Sequence, residues 1–451
     1  MAKIGLEIHG YLDTKEKLFC SCNAIHGSKN SKPNKNICPI CTGQPGAKPM
    51  LPNSEAIKKS IQIGLILNCE INKELTWNRK HYSWPDLPKG YQNTISGSYA
   101  IPLGVKGKFL GIRITECHLE EDPAAWNPKT GEIDYNRSGS PLIEIVTEPD
   151  FKSSEEAGEW LRQLIITLSY IKALNKNSGI KADVNVSLPE KKGKRIEIKN
   201  VNSIKNIQNA IDSEIKRQQK DTPLEQETRR YDETKNTTTK MRSKEQAEDY
   251  RFISDPDLPV IKITQERINK IKKQIPETPF EKLEKLIKKY NIDKKHAEIM
   301  TKKLEVVEFF EKIIEKTNPK LAVRWVIEEL LSVLNYNKKE LDEIDIKPEH
   351  FIELLKLIED KKITELKAKD ILRGWKEKSY SLKNSKQHSL ISEKEIKNII
   401  NKVIQENPKA VSDYKSGQEK SLNFLIGQVM RLSEKRADFK TAKENLEKEL
   451  K

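Results

Sequence analysis

Two groups of residues carry most of the chemistry open to this chain. The first is thiol. Cys20 and Cys22 form a C-x-C pair and, after fifteen intervening residues, Cys38 and Cys41 form "CPIC". Four thiols in two close pairs, joined by a loop rich in Asn, Lys, Ser and Gly, match the ligand pattern of a structural tetrahedral zinc site. Thiolates suit zinc, and the metal would pin a loop too polar to fold on its own burial. Four reduced cysteines without a metal are the simpler alternative. Cys69 and Cys117 stand alone and read as buried thiols.

The second group is acid and imidazole. In "GLEIHGYL" (5–12) Glu7 and His9 share one strand face and Leu6 and Ile8 the other, because side chains alternate along a strand. "ECHLEED" (116–122) gathers Glu116, His118, Glu120, Glu121 and Asp122. In "ADVNVSL" Asp183, Asn185 and Ser187 share a face, and in "RIEIKN" Glu197 and Lys199 do. Several strands offering oxygen ligands on one face would suit a hard cation such as Mg²⁺, with His9 binding through water or orienting a carboxylate. Any one of these clusters alone would be a solvated strand face; their convergence makes the site. A third stretch, "RKHYSWPDLPKGYQ" (79–92), is dense in basic and aromatic residues. It could line a pocket or stack on bases, or be a surface loop anchored by Trp84 and Tyr91.

The elements that must position these residues change character along the chain. Sixteen of the 19 glycines precede residue 200, and segments such as "KADVNVSL" and "KRIEIKN" alternate as strands do. Helices interrupt them: "SSEEAGEWLRQLIITLSYIKAL" (153–174), with Ser154 as its expected N-cap, and "SIKNIQNAIDSEIKRQQK" (203–220). From about residue 278 the period is helical, as in "TPFEKLEKLIKKY" and "LAVRWVIEELLSVL". A polar stretch at 376–389 reads as a linker, followed by further helical runs. The expectation is an α+β protein: a mixed-sheet body over 1–277, an all-helical domain over 278–385 and a small helical tail over 386–451.

Composition narrows the function. The 451 residues carry 82 Lys plus Arg against 67 Asp plus Glu, a net charge of +15 that fits a partner with many negative charges, RNA first. A composition biased toward Lys, Asn and Ile would produce the same excess. No apolar stretch reaches membrane-spanning length, and "MAKIGLEIHGYLDTKEK" has no apolar core of a signal peptide, so a soluble cytoplasmic protein is expected. No P-loop, nucleophile-elbow or kinase-loop pattern is present, nor the Ser- and Gly-rich stretch of an amidase.

Taken in order, "GLEIH", "LFCSC", "NICPICTGQPGAKP", "RKHYSWPDLPKGYQ", "HLEED", "DYNRSGSPLIEIVTEPD", "EIKNVNSIKN", "QETRRYDE" and "MRSKEQAEDYRF" resemble the B subunits of tRNA-dependent amidotransferases, and "SLNFLIGQVMRL" resembles their tail domain. The related archaeal E subunit carries a large insert for which this chain has no room. The resemblance implies an ATP- and Mg²⁺-dependent enzyme. It would phosphorylate the side-chain carboxylate of Asp or Glu mischarged on tRNA(Asn) or tRNA(Gln), and ammonia would then displace the phosphate. A glutaminase A subunit would supply the ammonia and a small C subunit would tie the complex together. Carried over by motif, the metal site would comprise Glu7, His9, Glu120 or Glu121 (with Glu121 taken as the ligand) and Glu197, with Asp183 in the same pocket. Lys80 and Tyr82 would lie near the pocket and channel mouth, and the tail would grip tRNA. Where the family reads Met-Glu-Glu-Gly-Ser-Leu-Arg-Cys before its Asp, this chain has "NKNSGIKA", so the roles of the acidic pair and the cysteine do not carry over. Two other readings are a non-catalytic zinc-stabilised tRNA-binding scaffold and a zinc hydrolase. The second lacks any H-E-x-x-H helix.

Overall fold

The computed structural model describes residues 2–24, 31–175, 178–243, 250–383 and 388–450. Lys176 and Asn177 of "NKNSGIKA", residues 244–249 of "MRSKEQAEDYRF" and residues 384–387 of the expected linker lie outside them. The chain divides into two compact units, Met1–Thr278 and Pro279–Lys451.

The first unit is mixed α+β. Its strands are β1 (Lys3–Tyr11), β2 (Glu70–Ile71), β3 (Glu74–Leu75), β4 (Asn78–His81), β5 (Gln92–Thr94), β6 (Gly104–Phe109), β7 (Ile112–Glu121), β8 (Ala125–Trp126), β9 (Ile133–Asp134), β10 (Pro141–Thr147), β11 (Ile180–Ser187), β12 (Ile196–Asn202), β13 (Glu227–Asp232), β14 (Thr237–Ser243), β15 (Arg251–Ser254) and β16 (Ile261–Lys262). Among the described residues twelve of them form one sheet in the order β14-β13-β12-β11-β1-β10-β7-β5-β4-β15, with β6 also on β7 and β2 on β6. Neighbours on that path run antiparallel except β12 and β13. A parallel pair needs a crossover, and helix α3 (Ile204–Lys220) supplies it.

Alternation along the central strands separates two faces. Ile4, Leu6 and Ile8 of β1, Cys117 and Leu119 of β7, Ile143 and Ile145 of β10, and Val184 and Val186 of β11 are all buried to 1% exposure or less. They form the core face, where helices α1 (Ser54–Ile66), α2 (Ser154–Tyr170) and α3 pack on the sheet and on each other. The opposite face receives Glu7, His9, Glu120, Glu144, Asp183 and Glu197, so the register that buries the apolar set also gathers the polar one. Helix α2 is capped one residue earlier than expected. Ser153, in extended backbone, accepts from Glu156 N–H at 3.2 Å, while Ser154 is the first helical residue and is buried.

The second unit is helical from Pro279–Tyr290 to Phe439–Leu450. "LAVRWVIEELLSVL" continues through a π-helical turn at Trp325–Leu330. Ile396, Ile400, Val403, Leu425, Val429 and Leu446 make a core of their own near its end. The polar stretch read as a linker is partly packed: Lys378 bridges to Asp345 and Leu382 is 3% exposed. Its sequence hid this because only Trp375 and Leu382 anchor an otherwise polar run.

Candidate active site

The site is a consequence of register. Directly opposite residues of antiparallel strands project to the same face with close Cβ atoms. His9 stands opposite Lys181 on β11 and Glu144 on β10, and Glu144 stands opposite His118 on β7. One row therefore reads Lys181, His9, Glu144, His118. The neighbouring row pairs Glu7 with Asp183. Glu197 on β12 stands opposite Asn185. Glu120 comes in from β7, beside Thr94 of β5.

These residues make two clusters. In the first, ligand atoms of His9, Glu120 and Glu144 lie within 4.8 Å of one another. Glu144 Oε2 is 3.2 Å from His9 Nε2 and 3.4 Å from His118 Nε2, and His118 Nδ1 is 3.0 Å from Glu116 Oε1. Burial alone would pull both imidazoles down, but Glu144 above all outweighs it and pushes His9 up to about 9 and His118 up to about 10. Burial likewise works against the charge on Glu144, yet the two imidazoliums hold its carboxyl well below the usual range. Glu120 is raised by burial and then by Glu144. Its Oε2 is buried without a hydrogen-bond partner among the described residues.

In the second cluster, oxygens of Glu7, Asp183 and Glu197 lie within 4.8 Å of one another. Burial and then the carboxylates of Glu144, Asp183 and Glu197 raise Glu7. Asn185 Nδ2 donates to Glu7 Oε1 at 2.9 Å, and Thr228 Oγ1 donates to Glu197 Oε2 at 3.3 Å. Lys199 Nζ reaches Asp183 Oδ2 at 2.8 Å and Glu197 Oε1 at 3.0 Å. The ladder slips at Asp183 to make a bulge, where Asn200 at φ 55° donates its N–H to Asp183 Oδ1 at 2.7 Å. Bulges commonly re-aim side chains beside active sites.

Six of the residues expected at the pocket thus meet there: Glu7 and His9, Glu120, Asp183, Glu197, and Lys80 at its edge. Burial opposes the charge on the half-buried Lys80, and Glu120 and Glu144 outweigh it, raising its pKa. Its Nζ lies 4.9 Å from the Tyr250 ring centroid. Tyr82 packs edge-on against Tyr250, with its hydroxyl pKa raised by burial and then by Asp86 and Glu120. Glu121, expected as a metal ligand, is turned away. One step along β7 from Glu120 puts it on the other side of the strand, where its carboxylate accepts from Lys89 Nζ and, at 2.9 Å, from Asn93 N–H. It belongs to neither cluster.

Sequence reasoning misses three contributions: Glu144, His118 as a partner of Glu144, and Lys199 as a cation in the second cluster. Glu144 had a signal, since it is the one carboxylate inside the apolar strand "PLIEIVT".

The donors suit hard cations. Each cluster mixes buried carboxylate oxygens from several strands, and the orphaned Oε2 of Glu120 and Oδ1 of Asn185 leave acceptors to spare. The cysteines form a separate site. Cys20, Cys22, Cys38 and Cys41 bring their sulfurs within 4.8 Å of one another, and Cys38 and Cys41 Sγ are 3.9 Å apart. A tetrahedral ZnS₄ centre with Zn–S of about 2.3 Å needs sulfurs about 3.8 Å apart, so the set fits. The hydrogen bond from Cys20, with help from Cys38 N–H and Lys17, pulls the Cys41 thiol down to about 4. Buried Lys17 supplies the nearby charge, its Nζ 3.4 Å from Cys41 Sγ. Gly43 at φ 65° lets this knuckle press on the "RKHYSWPDLPKGYQ" loop, since a Cβ there would stand 2.2 Å from Pro88 O.

A sheet face with two carboxylate-rich cation clusters, beside a thiol knuckle, defines a metal-dependent enzyme body. Residues 2–269 match the model of the GatB/GatE catalytic domain, and residues 308–450 match that of the GatB domain. The chain is 42% identical to the B subunit of the aspartyl/glutamyl-tRNA(Asn/Gln) amidotransferase of Methanocaldococcus jannaschii, over 99% of this chain and 98% of that protein. It is 44% identical to the protein of the same name from Methanothermobacter thermautotrophicus, over 97% of each. The chain belongs to the GatB/GatE family and is one of the subunits of an amidotransferase, an enzyme of the ligase class. Among the described residues no helix is long and apolar enough to cross a membrane.

Proposed function

We propose that this chain uses ATP to activate the side-chain carboxylate of Asp or Glu carried on tRNA(Asn) or tRNA(Gln), and hands it to ammonia for amidation. A carboxylate oxygen attacks the γ-phosphorus and the bond to ADP breaks. Ammonia then displaces phosphate at the acyl carbon and loses a proton to give the amide. The observation that carries this reading is the pair of acidic clusters two residues apart on β1, with the ammonium groups of Lys80 and Lys199 beside them.

Both reactants are anions, so positioning and charge neutralisation decide the rate. Glu7, Asp183 and Glu197 on one side, and His9, Glu120 and Glu144 on the other, would hold Mg²⁺, whose charge lets carboxylate and phosphate approach. His118 and Glu116 hold the Glu144 carboxylate between two imidazoles and fix its orientation. Lys80 and Tyr82 would line the approach of the aminoacyl group and of ammonia. The knuckle, closed by Zn²⁺, would brace the 79–92 loop.

The names of the relatives support a cytoplasmic complex with a glutaminase A subunit and a small C subunit. The net charge of +15 supports tRNA as partner. The second unit would divide near residue 386 into a helical domain and a tail, the tail gripping tRNA through phosphates and shape. The test supplies the chain with its A and C partners, Mg²⁺, ATP and glutamine, and gives it Asp-tRNA(Asn) and Glu-tRNA(Gln) in parallel. Amide on either RNA supports the reading and names the substrate. No amide on both, with tRNA still bound, would leave a tRNA-binding scaffold instead.

A further inference from the structure

The two clusters differ in one respect: only the second contains a lysine. Neither Glu120 nor Glu144 forms an ion pair with Lys or Arg among the described residues; Glu144 faces two histidines. Asp183 and Glu197 share the Lys199 ammonium at 2.8 and 3.0 Å. It sits there among oxygens able to close on one ion, since they and Glu7 lie within 4.8 Å of one another. The backbone holds this arrangement. The bulge at Asp183 and the Asn200 N–H bond at 2.7 Å fix the carboxylate, and Glu197 and Lys199 project to the same face of β12. Asn185, 8% exposed, spends its N–H on Glu7 and keeps a buried Oδ1 with no partner among the described residues. That acceptor marks a place for a cation beyond the lysine.

We infer that Lys199 is a resident cation of the second cluster: its ammonium takes the position of a divalent ion between Asp183 and Glu197, and the ion binds there by displacing it. The inference rests on the metal-dependent reading of this face. It assigns the two clusters different duties. His9, Glu120 and Glu144 bind a divalent ion first and tightly. Glu7, Asp183 and Glu197 bind a second ion more weakly, because entry must move a paired lysine, and the freed ammonium is then available to an incoming anion. A monovalent ammonium keeps three buried carboxylates compatible with folding while no metal is bound.

The test is Mn²⁺ binding to the full-length chain, reading free Mn²⁺ by electron paramagnetic resonance, together with melting temperatures with and without Mn²⁺. The wild type should show a tight and a weak class. Lys199→Met should tighten the weak class at least tenfold and leave the tight class alone, whereas Glu120→Gln should remove the tight class. Metal-free Lys199→Met should melt lower than wild type and gain more from saturating Mn²⁺. Should Lys199→Met fail to fold without metal, Lys199→Arg decides the matter. A guanidinium pairing with both carboxylates is harder to displace, so the weak class should weaken severalfold. A weak class unchanged or loosened in Lys199→Met, or unchanged or tightened in Lys199→Arg, overturns the inference. Amidation plays no part in these readouts, so a failure of the proposed function would show separately, as missing amide.

Discussion

Glu144 stands opposite His9 across the β1–β10 ladder, its Oε2 3.2 Å from His9 Nε2, and the same oxygen is 3.4 Å from His118 Nε2. One buried carboxylate thus holds two imidazoles on neighbouring strands. Replacing it by the isosteric Glu144→Gln removes the anion that keeps both rings charged. His9 and His118 should then titrate well below about 9 and about 10, as histidine C–H resonances would report. Losing two charge-assisted contacts should cost about 2–3 kcal/mol of stability in denaturant unfolding. Unchanged histidine titrations would show that another group sets their charge.

The same pair gives the metal-free chain a pH signature. Both folded pKa values lie above the unfolded value near 6.5, so the associated stability is complete below that pH. It is lost as the pH rises through about 9 and about 10. Melting temperature without metal should fall from pH 7 to pH 10, and Glu144→Gln should flatten the fall. A profile as steep in the variant as in the wild type would count against the pair.

Glu120 behaves in the opposite sense. Burial and the nearby Glu144 raise its pKa, so at neutral pH its charge works against folding. Glu120→Gln should melt at the same temperature as wild type or higher without metal, gain much less from Mg²⁺ or Mn²⁺, and lose amide formation at least 100-fold. A large loss of metal-free stability would make Glu120 a structural residue.

The thiol knuckle should hold one zinc per chain by elemental analysis. Cys41→Ser should lose it, and a chelator strong enough to strip it should lower the melting temperature of the wild type but not of that variant. Gly43→Ala should destabilise the chain by about 1–3 kcal/mol, because it combines φ 65° with a Cβ 2.2 Å from Pro88 O. Zinc-free protein of full stability would return the cysteines to plain thiols.

Period-two alternation made much of this fold and site legible. The strands at Glu7 and His9, at Asp183 and at Glu197 could each be read as having a polar face, because the apolar partners Leu6, Ile8, Val184 and Ile198 occupy the other. Alternation cannot choose between Glu120 and Glu121 without knowing which residue of β7 faces the core, and Leu119 with Cys117 decides that only once the sheet is assembled. Glu144 escaped for a related reason: within a nearly all-apolar strand one carboxylate carries no pattern of its own, and its meaning comes from His9 and His118 opposite it. Separation of the ligands into two clusters depends on the register of β11 against β12 and on the bulge at Asp183, which are tertiary facts. The family motifs, by contrast, reside in contiguous residues and needed no fold to be seen.

The central claim, that the carboxylate is activated by phosphoryl transfer, is tested most directly by oxygen tracing. Asp-tRNA(Asn) or Glu-tRNA(Gln) labelled with ¹⁸O in the side-chain carboxylate would be converted by the complex with ATP and ammonium chloride, and the released phosphate analysed by mass. Direct attack of that carboxylate on ATP predicts one ¹⁸O in the phosphate for each amide formed. Amide formed with unlabelled phosphate would contradict it.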